Sequence, residues 1–336
     1  MAAVSREVRL VSRPSGAATE DLFEVVETDV VEPQDGQILV RNAFCSVDPY
    51  MRPRMNDVRS YTPPFVVGEA LTGGAVGRVS SSRNDAFAEG DWVLHALGWR
   101  EWALSDGSGV RKLDPSVAPV STALGVLGMP GLTAYHGLFE IGQPEPGEVV
   151  FVSGAAGAVG SAAGQMAKIA GCRVIGSAGS REKLDWLAEL GFDASFDYHE
   201  TSARDALNDL TPEGIDLYFD NVGGDQLEAA IGALRAYGRI VACGSVSRYD
   251  EREPSPGPRN MFLVVTKRLR IQGYIISDHY DEYRAFLERA GEWVRDGKLL
   301  YRETVVDGIE NAPAAFLGLL HGDNVGKMLV KVGPDE

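Results

Sequence analysis

Cysteine is scarce in this chain of 336 residues, and the three present (Cys45, Cys172 and Cys243) have no C-x-x-C spacing. This excludes a cysteine-rich structural zinc site and fits a reducing cytoplasm. No apolar run approaches the roughly 18 residues of a membrane span, and the N-terminus has no apolar signal core. The net charge is −16 without a run of five basic residues, so we expect neither nucleic acid nor an anionic membrane as a partner.

Hydrophobic residues make up 44% of the chain, enough for sizeable cores, and the length suggests two domains. The first 120 residues predict a small barrel-like β domain, with strands at 7–11, 36–40, 66–79 and 90–94. From residue 124, strands alternate with helices, which predicts a parallel sheet covered on both faces. The predicted strands are 149–153, 173–177, 216–220, 239–244 and 270–274, and the predicted helices are 161–170, 182–190, 203–210, 226–233 and 281–296.

The tail of the chain returns to a strand, helix and strand at 301–306, 310–320 and 327–332. We expect it to rejoin the N-terminal domain. Residues 1–123 and 303–336 would then form a substrate-binding domain, and residues 124–302 an inserted nucleotide-binding domain. A ligand site would lie in the cleft between them.

Residues 151–168 read FVSGAAGAVGSAAGQMAK, a buried strand followed by a glycine turn and the start of a helix. Gly154 permits the tight turn, Gly157 lets the backbone approach a pyrophosphate, and Gly160 lets helix and strand pack closely. The free N–H groups at the helix N-terminus then favour a phosphate. This pattern predicts a dinucleotide site that uses the three glycines together with Ala155, Ala158 and Val159.

The end of the next predicted strand indicates which dinucleotide binds. An NAD-binding unit has an acidic residue there for the ribose 2′-hydroxyl, whereas this chain has Gly179 and Ser180, followed by Arg181 and Lys183. Basic side chains at that position favour the 2′-phosphate of NADP(H). The alternative is that Arg181 and Lys183 are solvated residues of the first helical turn.

Five segments carry a resemblance to a known family: VDPYMR (47–52), LGMPGLTAY (127–135), the turn at 155–160, YFDNVGG (218–224) and GDNVGK (322–327). In this order they resemble the zinc-independent medium-chain dehydrogenases/reductases of the leukotriene B4 dehydrogenase, prostaglandin reductase and plant double-bond reductase group. The resemblance implies an α/β fold with a Rossmann doubly wound parallel sheet inserted into a GroES-like β-barrel domain. It also implies NADPH-dependent reduction of the carbon–carbon double bond of α,β-unsaturated aldehydes and ketones, in a homodimer joined through the nucleotide-binding domains.

The resemblance also implies roles for individual residues. Hydride delivered to the β-carbon leaves negative charge on the carbonyl oxygen, so a hydrogen-bond donor there is the main service that the protein can offer. We assign Tyr249 as first donor, together with the ribose hydroxyl, and Tyr50 as second; the alternative is that either is a half-buried tyrosine with a satisfied hydroxyl. Further cofactor contacts are assigned to Gly179, Ser180, Lys183, Tyr198, Asn221, Cys243, Ser245 and Asn324.

Metal catalysis is not expected. Cys45 stands where zinc-dependent relatives place a ligand, but the partner segment here reads Val67-Gly68-Glu69, and a catalytic zinc needs three protein ligands. We interpret the five histidines as structural or surface residues. Two alternatives to the enone reductase remain open: a quinone oxidoreductase of the same architecture, and an NADPH-binding protein without catalytic activity. The loop at 248–259 is either a lid over the substrate or a solvated surface loop.

Overall fold

The computed structural model describes residues 4–251 and 255–335, and the chain divides into two compact units. Residues 4–125, 303–324 and 328–335 form the β unit. Residues 126–251, 255–302 and 325–327 form the α/β unit. The functions assigned to the two predicted domains remain predictions.

Strands predominate in the β unit, whereas strands alternate with helices in the α/β unit. The strands are β1 (Val4–Leu10), β2 (Phe23–Asp29), β3 (Ile38–Ser46), β4 (Ala75–Ser82), β5 (Trp92–His95), β6 (Trp102–Ser105), β7 (Arg111–Leu113), β8 (Val149–Val152), β9 (Arg173–Ala178), β10 (Ala194–Asp197), β11 (Ile215–Asp220), β12 (Leu234–Ala242), β13 (Arg270–Gly273), β14 (Glu303–Asp307) and β15 (Lys327–Lys331). The α-helices are α1 (Met51–Arg54), α2 (Met129–Tyr135), α3 (Ala158–Ile169), α4 (Arg181–Glu189), α5 (Ala203–Leu210), α6 (Gly224–Ala233), α7 (Phe262–Thr266), α8 (Tyr283–Arg295) and α9 (Ala312–His321). A π-helix, His136–Gly142, continues directly from α2.

The β unit is built on a seven-stranded sheet in the order β14-β15-β3-β4-β5-β7, with β6 also paired to β3. The tail strand β15 pairs antiparallel with β3, while β1 and β2 form a separate antiparallel pair. Trp99 is fully buried and stacks on Phe23 at 6.1 Å, with the ring of Phe316 edge-on at 5.9 Å. The core of this unit therefore contains side chains from both ends of the chain.

Some predictions for the β unit were wrong. The strands β2, β6 and β7 were missed, because each has at most one buried residue and therefore a weak apolar pattern. The predicted strand at 66–79 is regular only from residue 75. Residues 72–74 are Thr-Gly-Gly, and glycines inside a strand pattern indicate close backbone approach rather than a regular ladder.

The α/β unit contains a six-stranded parallel sheet in the order β10-β9-β8-β11-β12-β13. Numbered from β8, this is the order 3-2-1-4-5-6 of a Rossmann fold. All four residues of β8 are buried, as expected for a strand covered on both faces. The short strand β10 was missed in the sequence, but the predicted fold class is confirmed. None of the helices among the described residues is both long and apolar enough to cross a membrane.

Candidate active site

The glycine turn after β8 has the geometry that its sequence predicts. Gly154 has φ +57°, a left-handed conformation that favours glycine. A Cβ atom on Gly160 would overlap the carbonyl oxygen of Gly154 and lie 2.8 Å from Cα of Ala155. At Gly157 the nearest atom to an added Cβ would be 3.4 Å away, so packing tolerates a side chain there. The first N–H groups of α3, which have no intrahelical acceptor, follow this turn directly.

The carboxyl end of β9 brings Gly179 against Tyr198. A Cβ atom at residue 179 would lie 2.6 Å from the Tyr198 hydroxyl, so a larger residue there would displace this ring. Burial raises the pKa of Tyr198, and the carboxylate of Asp197 adds to the shift. The hydroxyl of Ser180 caps α4 by accepting the N–H of Lys183, which places Lys183 in the first turn.

Arg181 and Lys183 have different surroundings although both lie in the first turn of α4. The guanidinium of Arg181 is 2.9 Å from the Asp185 carboxylate one turn later, and its side chain is highly exposed. Lys183 is half-buried. For Arg181, the alternative interpretation of a solvated helix residue is therefore favoured.

Asn221 is held against the glycine turn by two hydrogen bonds. Its side-chain amide donates to the carbonyl oxygen of Ser153 at 2.8 Å, and its backbone N–H donates to the Ser153 hydroxyl at 3.0 Å. This position, at the carboxyl ends of the central strands β8 and β11, is where open parallel sheets bind ligands.

Ser153, Asp220 and Tyr218 form a buried polar cluster. Ser153 and Asp220 were not predicted as site residues. The Tyr218 hydroxyl donates to Asp220 Oδ1 at 2.7 Å, and the backbone N–H groups of Val222 and Gly223 donate to the same oxygen. Burial raises the pKa of the Asp220 carboxyl, and these hydrogen bonds offset part of the shift. Their positions in the sequence could have indicated a role in the site, because Ser153 and Asp220 stand where the parallel strands β8 and β11 end.

Tyr249 follows a short helical turn, Val246–Arg248, after β12. Backbone N–H groups of Cys243 and Gly244 donate to the Asp220 carbonyl at 2.9 Å, which fixes the start of this loop against β11. Burial raises the pKa of Tyr249, while a hydrogen bond from the backbone of Ser245 acts in the opposite direction. Burial also raises the pKa of the Cys243 thiol, to about 12, so this thiol stays protonated at neutral pH.

A cavity of about 560 Å³ lies beside this loop, between the start of α6 and residues 244–251 and 255–258. Two charged residues of the loop pair with each other there. Arg248 lies 2.7 Å from Glu251, which also accepts the Ser255 hydroxyl. Residues 252–254 of the predicted lid lie outside the described residues, and the lid remains a prediction.

Tyr50 and Asn324 belong to the β unit. Tyr50 directly precedes α1, packs on the core and hydrogen-bonds with the side chain of Arg54. Arg54 in turn donates to the Thr72 carbonyl and lies 4.0 Å from the ring of Phe65. Asn324 is buried and directly precedes Val325–Lys327, whose Gly326 donates its N–H to Ala156 at the glycine turn.

Residues 72–75 of the β unit, Thr-Gly-Gly-Ala, have only small side chains. A Cβ on Gly73 would overlap the methyl group of Met51, and one on Gly74 would lie 3.1 Å from Leu124. Met51 and Leu124 therefore occupy this region, and its glycines do not leave a void.

The strand order and the glycine turn define a dinucleotide-binding oxidoreductase fold, and comparisons with known proteins agree. The family model described as "N-terminal domain of oxidoreductase" matches residues 6–113, and the one described as "Zinc-binding dehydrogenase" matches residues 158–292. The chain is 44% identical to the NADPH-dependent curcumin reductase of Escherichia coli (97% of this chain, 96% of the relative). It is 40% identical to an NADP(+)-dependent 2-alkenal reductase of Nicotiana tabacum (98% and 97%).

A solved structure extends this likeness to the fold. The complex of CurA from Vibrio vulnificus with NADPH superimposes with a TM-score of 0.93 at 42% identity, covering 98% of this chain and 99% of CurA. The chain belongs to the zinc-independent medium-chain dehydrogenase/reductase family that its sequence resembles, a family of NADP-dependent oxidoreductases.

The family that matches residues 158–292 is described as zinc-binding, but the surroundings of Cys45 do not fit a zinc site. Burial raises the pKa of this thiol to about 11, and its sulfur lies 3.9 Å from the Arg100 carbonyl. A bound zinc ion would itself deprotonate a coordinating thiol, so a zinc site depends on further ligands around the sulfur. Among the described residues, Cys45 is not part of any metal-binding group of three His, Cys, Asp or Glu side chains.

Proposed function

We propose that the protein reduces the carbon–carbon double bond of α,β-unsaturated aldehydes and ketones with NADPH. The 2-alkenal reductase among its relatives is named for substrates of this class. The observation that carries the proposal for this chain is the half-buried Tyr249, held next to the carboxyl ends of β11 and β12. Hydrogen-bond donors for a developing enolate are expected at this edge of the sheet.

The residues of the α/β unit fit NADPH. The close approach at Gly160 keeps the start of α3 near the glycine turn, and its first N–H groups, on Ala158, Val159 and Gly160, would face the pyrophosphate. Lys183 and Tyr198 would bind the 2′-phosphate; Tyr198 lies against Gly179 at the end of β9. Asn221, Cys243, Ser245 and Asn324 complete the proposed set. When bound, NADPH supplies the hydride for the β-carbon.

Tyr249 would stabilise the charge that develops on the substrate. The backbone of Ser245 hydrogen-bonds to its hydroxyl, and its raised pKa keeps the hydroxyl protonated at neutral pH. A protonated phenol can donate to the carbonyl oxygen as this oxygen becomes an enolate. The α-carbon then takes a proton. Tyr50 is the second proposed donor.

The reaction class is tested by following NADPH and NADH oxidation with a medium-chain 2-alkenal, a bulky aryl enone and a simple quinone. We expect NADPH-selective turnover of an enal or enone, with a product that has a saturated bond and an intact carbonyl group. Turnover of the quinone alone would support the quinone oxidoreductase instead. No turnover of any acceptor would support an NADPH-binding role.

The role of Tyr249 is tested by Tyr249→Phe, which removes the hydroxyl and keeps the ring. We expect kcat to fall roughly 100-fold with little change in NADPH affinity, because the donor acts mainly in the transition state. Tyr237→Phe is the control, since Tyr237 is 69% exposed in the same unit. Unchanged kcat for Tyr249→Phe would reject Tyr249 as the donor.

We further propose a homodimer formed through β13, the edge strand of the parallel sheet. All four residues of this strand are exposed. The preceding helix α7 also exposes apolar side chains: Phe262 is 74% and Val265 69% exposed. An exposed edge strand is a template for pairing with a second copy, and the apolar side chains of α7 add a surface that such pairing could bury. Two such edges would join about a two-fold axis.

A further inference from the structure

Three side chains of the α/β unit converge, His136, His279 and Glu282, although His136 lies 146 positions before Glu282. One donor atom from each lies within 4.8 Å of the other two. Within residues 4–251 and 255–335, this is the one group of three His, Cys, Asp or Glu side chains with such spacing. None of the three has a part in the proposed reduction.

Both imidazoles present Nδ1 to the same carboxylate. Nδ1 of His136 lies 2.9 Å from one Glu282 oxygen and 3.1 Å from the other, and Nδ1 of His279 lies 3.4 Å from the carboxylate. The two rings are stacked, with centroids 3.8 Å apart. Ligands of a tetrahedral zinc ion, at bond lengths of about 2.0–2.2 Å, are themselves roughly 3.4 Å apart. Coordination of one ion by both Nδ1 atoms would require the stacked rings to tilt apart, because the nitrogen lone pairs lie in the ring planes.

The cluster lies at the start of a π-helix. His136 is the first residue of the π-helix His136–Gly142, a rare element that often marks functional sites. His136 is 5% exposed. The side chains of His279 and Glu282 are 35% and 30% exposed, so water can reach a further coordination position.

We propose that His136, His279 and Glu282 bind a divalent transition-metal ion, with Zn²⁺ the preferred one. Two imidazoles and one carboxylate suit Zn²⁺, Co²⁺ or Ni²⁺ better than Mg²⁺ or Ca²⁺, which prefer all-oxygen sites. Metal coordination would replace the present contacts between the imidazoles and the carboxylate.

The ion would act as a structural clamp. Its ligands join the start of the π-helix to the segment Ile276–Glu282, which lies between β13 and α8. Tyr274, at the head of that segment, packs 5.3 Å from the His136 ring and donates its hydroxyl to the Thr133 carbonyl at 2.7 Å. The bound ion would hold this segment in place.

The test uses full-length protein without a histidine tag, stripped with a chelator and then titrated with Co²⁺. We expect one Co²⁺ per chain, with the visible absorption of a low-coordinate site, and displacement by Zn²⁺. His279→Ala and Glu282→Gln each alter one partly exposed ligand. Each should weaken Co²⁺ binding at least ~10-fold, because changing a residue that only hydrogen-bonds to a metal ligand already weakens binding by about this much. His321→Ala, which removes an exposed histidine on α9, should bind like the unaltered protein.

Melting temperature provides an independent measurement. Zn²⁺ should raise the Tm of the unaltered protein and of His321→Ala, but not of His279→Ala, because only an intact site stabilises the folded state by binding. The absence of stoichiometric Co²⁺ binding would overturn the proposal. Equal binding by the unaltered protein, His279→Ala and Glu282→Gln would also overturn it.

Discussion

We predict that the imidazole of His95 stays neutral in the folded protein down to about pH 4. His95 ends β5 and is 5% exposed. Its Nδ1 accepts the N–H of Leu97 at 3.0 Å, so the proton is on Nε2, which donates to Oδ1 of Asn42 at 2.9 Å. Burial, with a smaller contribution from the Arg100 cation, lowers the pKa of His95 from 6.5 to about 4. Protonation would also break the hydrogen bond from Leu97.

The lowered pKa makes stability depend on pH. Between pH 6.5 and 4 the unfolded chain binds a proton at residue 95 and the folded chain does not. The free energy of unfolding therefore has its full contribution from His95 above pH 6.5 and loses it as the pH falls toward 4. A shift of about 2.5 units from the values for His95, at 1.36 kcal/mol per unit, corresponds to about 3 kcal/mol.

The direct assay is an NMR titration of the histidine ring protons, with the His95 signal assigned from its absence in His95→Gln. Glutamine can donate and accept hydrogen bonds but does not titrate. We therefore expect the difference in Tm between the unaltered protein and His95→Gln to shift by several degrees in favour of the variant between pH 7.5 and pH 4.5. His321→Gln controls for the loss of an imidazole. A measured pKa near 6.5, or a difference independent of pH, would refute the reasoning.

Three further predictions concern the proposed site and interface. Lys183→Ala should raise the KM for NADPH and leave NADH use almost unchanged, whereas an equal loss with both cofactors would remove the 2′-phosphate role. Gly160→Ala should destabilise the protein by roughly 1–3 kcal/mol, because its Cβ would overlap the turn. Gly157→Ala should keep the stability of the unaltered protein yet bind NADPH more weakly. Equal melting temperatures of the two variants would contradict this difference. Phe262→Glu should convert a dimer into monomers in light scattering, whereas a monomeric unaltered protein would contradict the proposed interface.

The parts of the fold that the sequence predicted are those set by local patterns. A buried strand, a glycine turn and a helix follow one another between residues 149 and 169, and each has its own signal in periodicity or residue size. The helix α5 has the predicted ends, and Ser202 caps its start by accepting the N–H of Asp205. The central strands β8 and β11 could be predicted because they are buried on both faces and read as continuous apolar runs.

The folded structure distinguishes Arg181 from Lys183, although the sequence pattern gives both the same predicted role. Arg181 and Lys183 are both basic residues of one helical turn, and the pattern alone assigned them the same 2′-phosphate. The four-residue spacing of Arg181 and Asp185 puts them on one face of α4, where they form an exposed ion pair. Lys183 is half-buried near the end of β9 instead. A charge pattern thus indicated the ligand chemistry, but not which of the two cations lies near Gly179.

Tertiary contacts between distant segments had no signal in the sequence. His136 and Glu282 are 146 positions apart, and nothing in the sequence indicates that they meet. Single histidines are more often structural than ligating, so the sequence supported the structural interpretation for each of them separately. The structure changes this inference, because it brings together two imidazoles and one carboxylate, none of which alone would indicate a ligand. Metal sites with dispersed ligands therefore become visible only once the chain has folded.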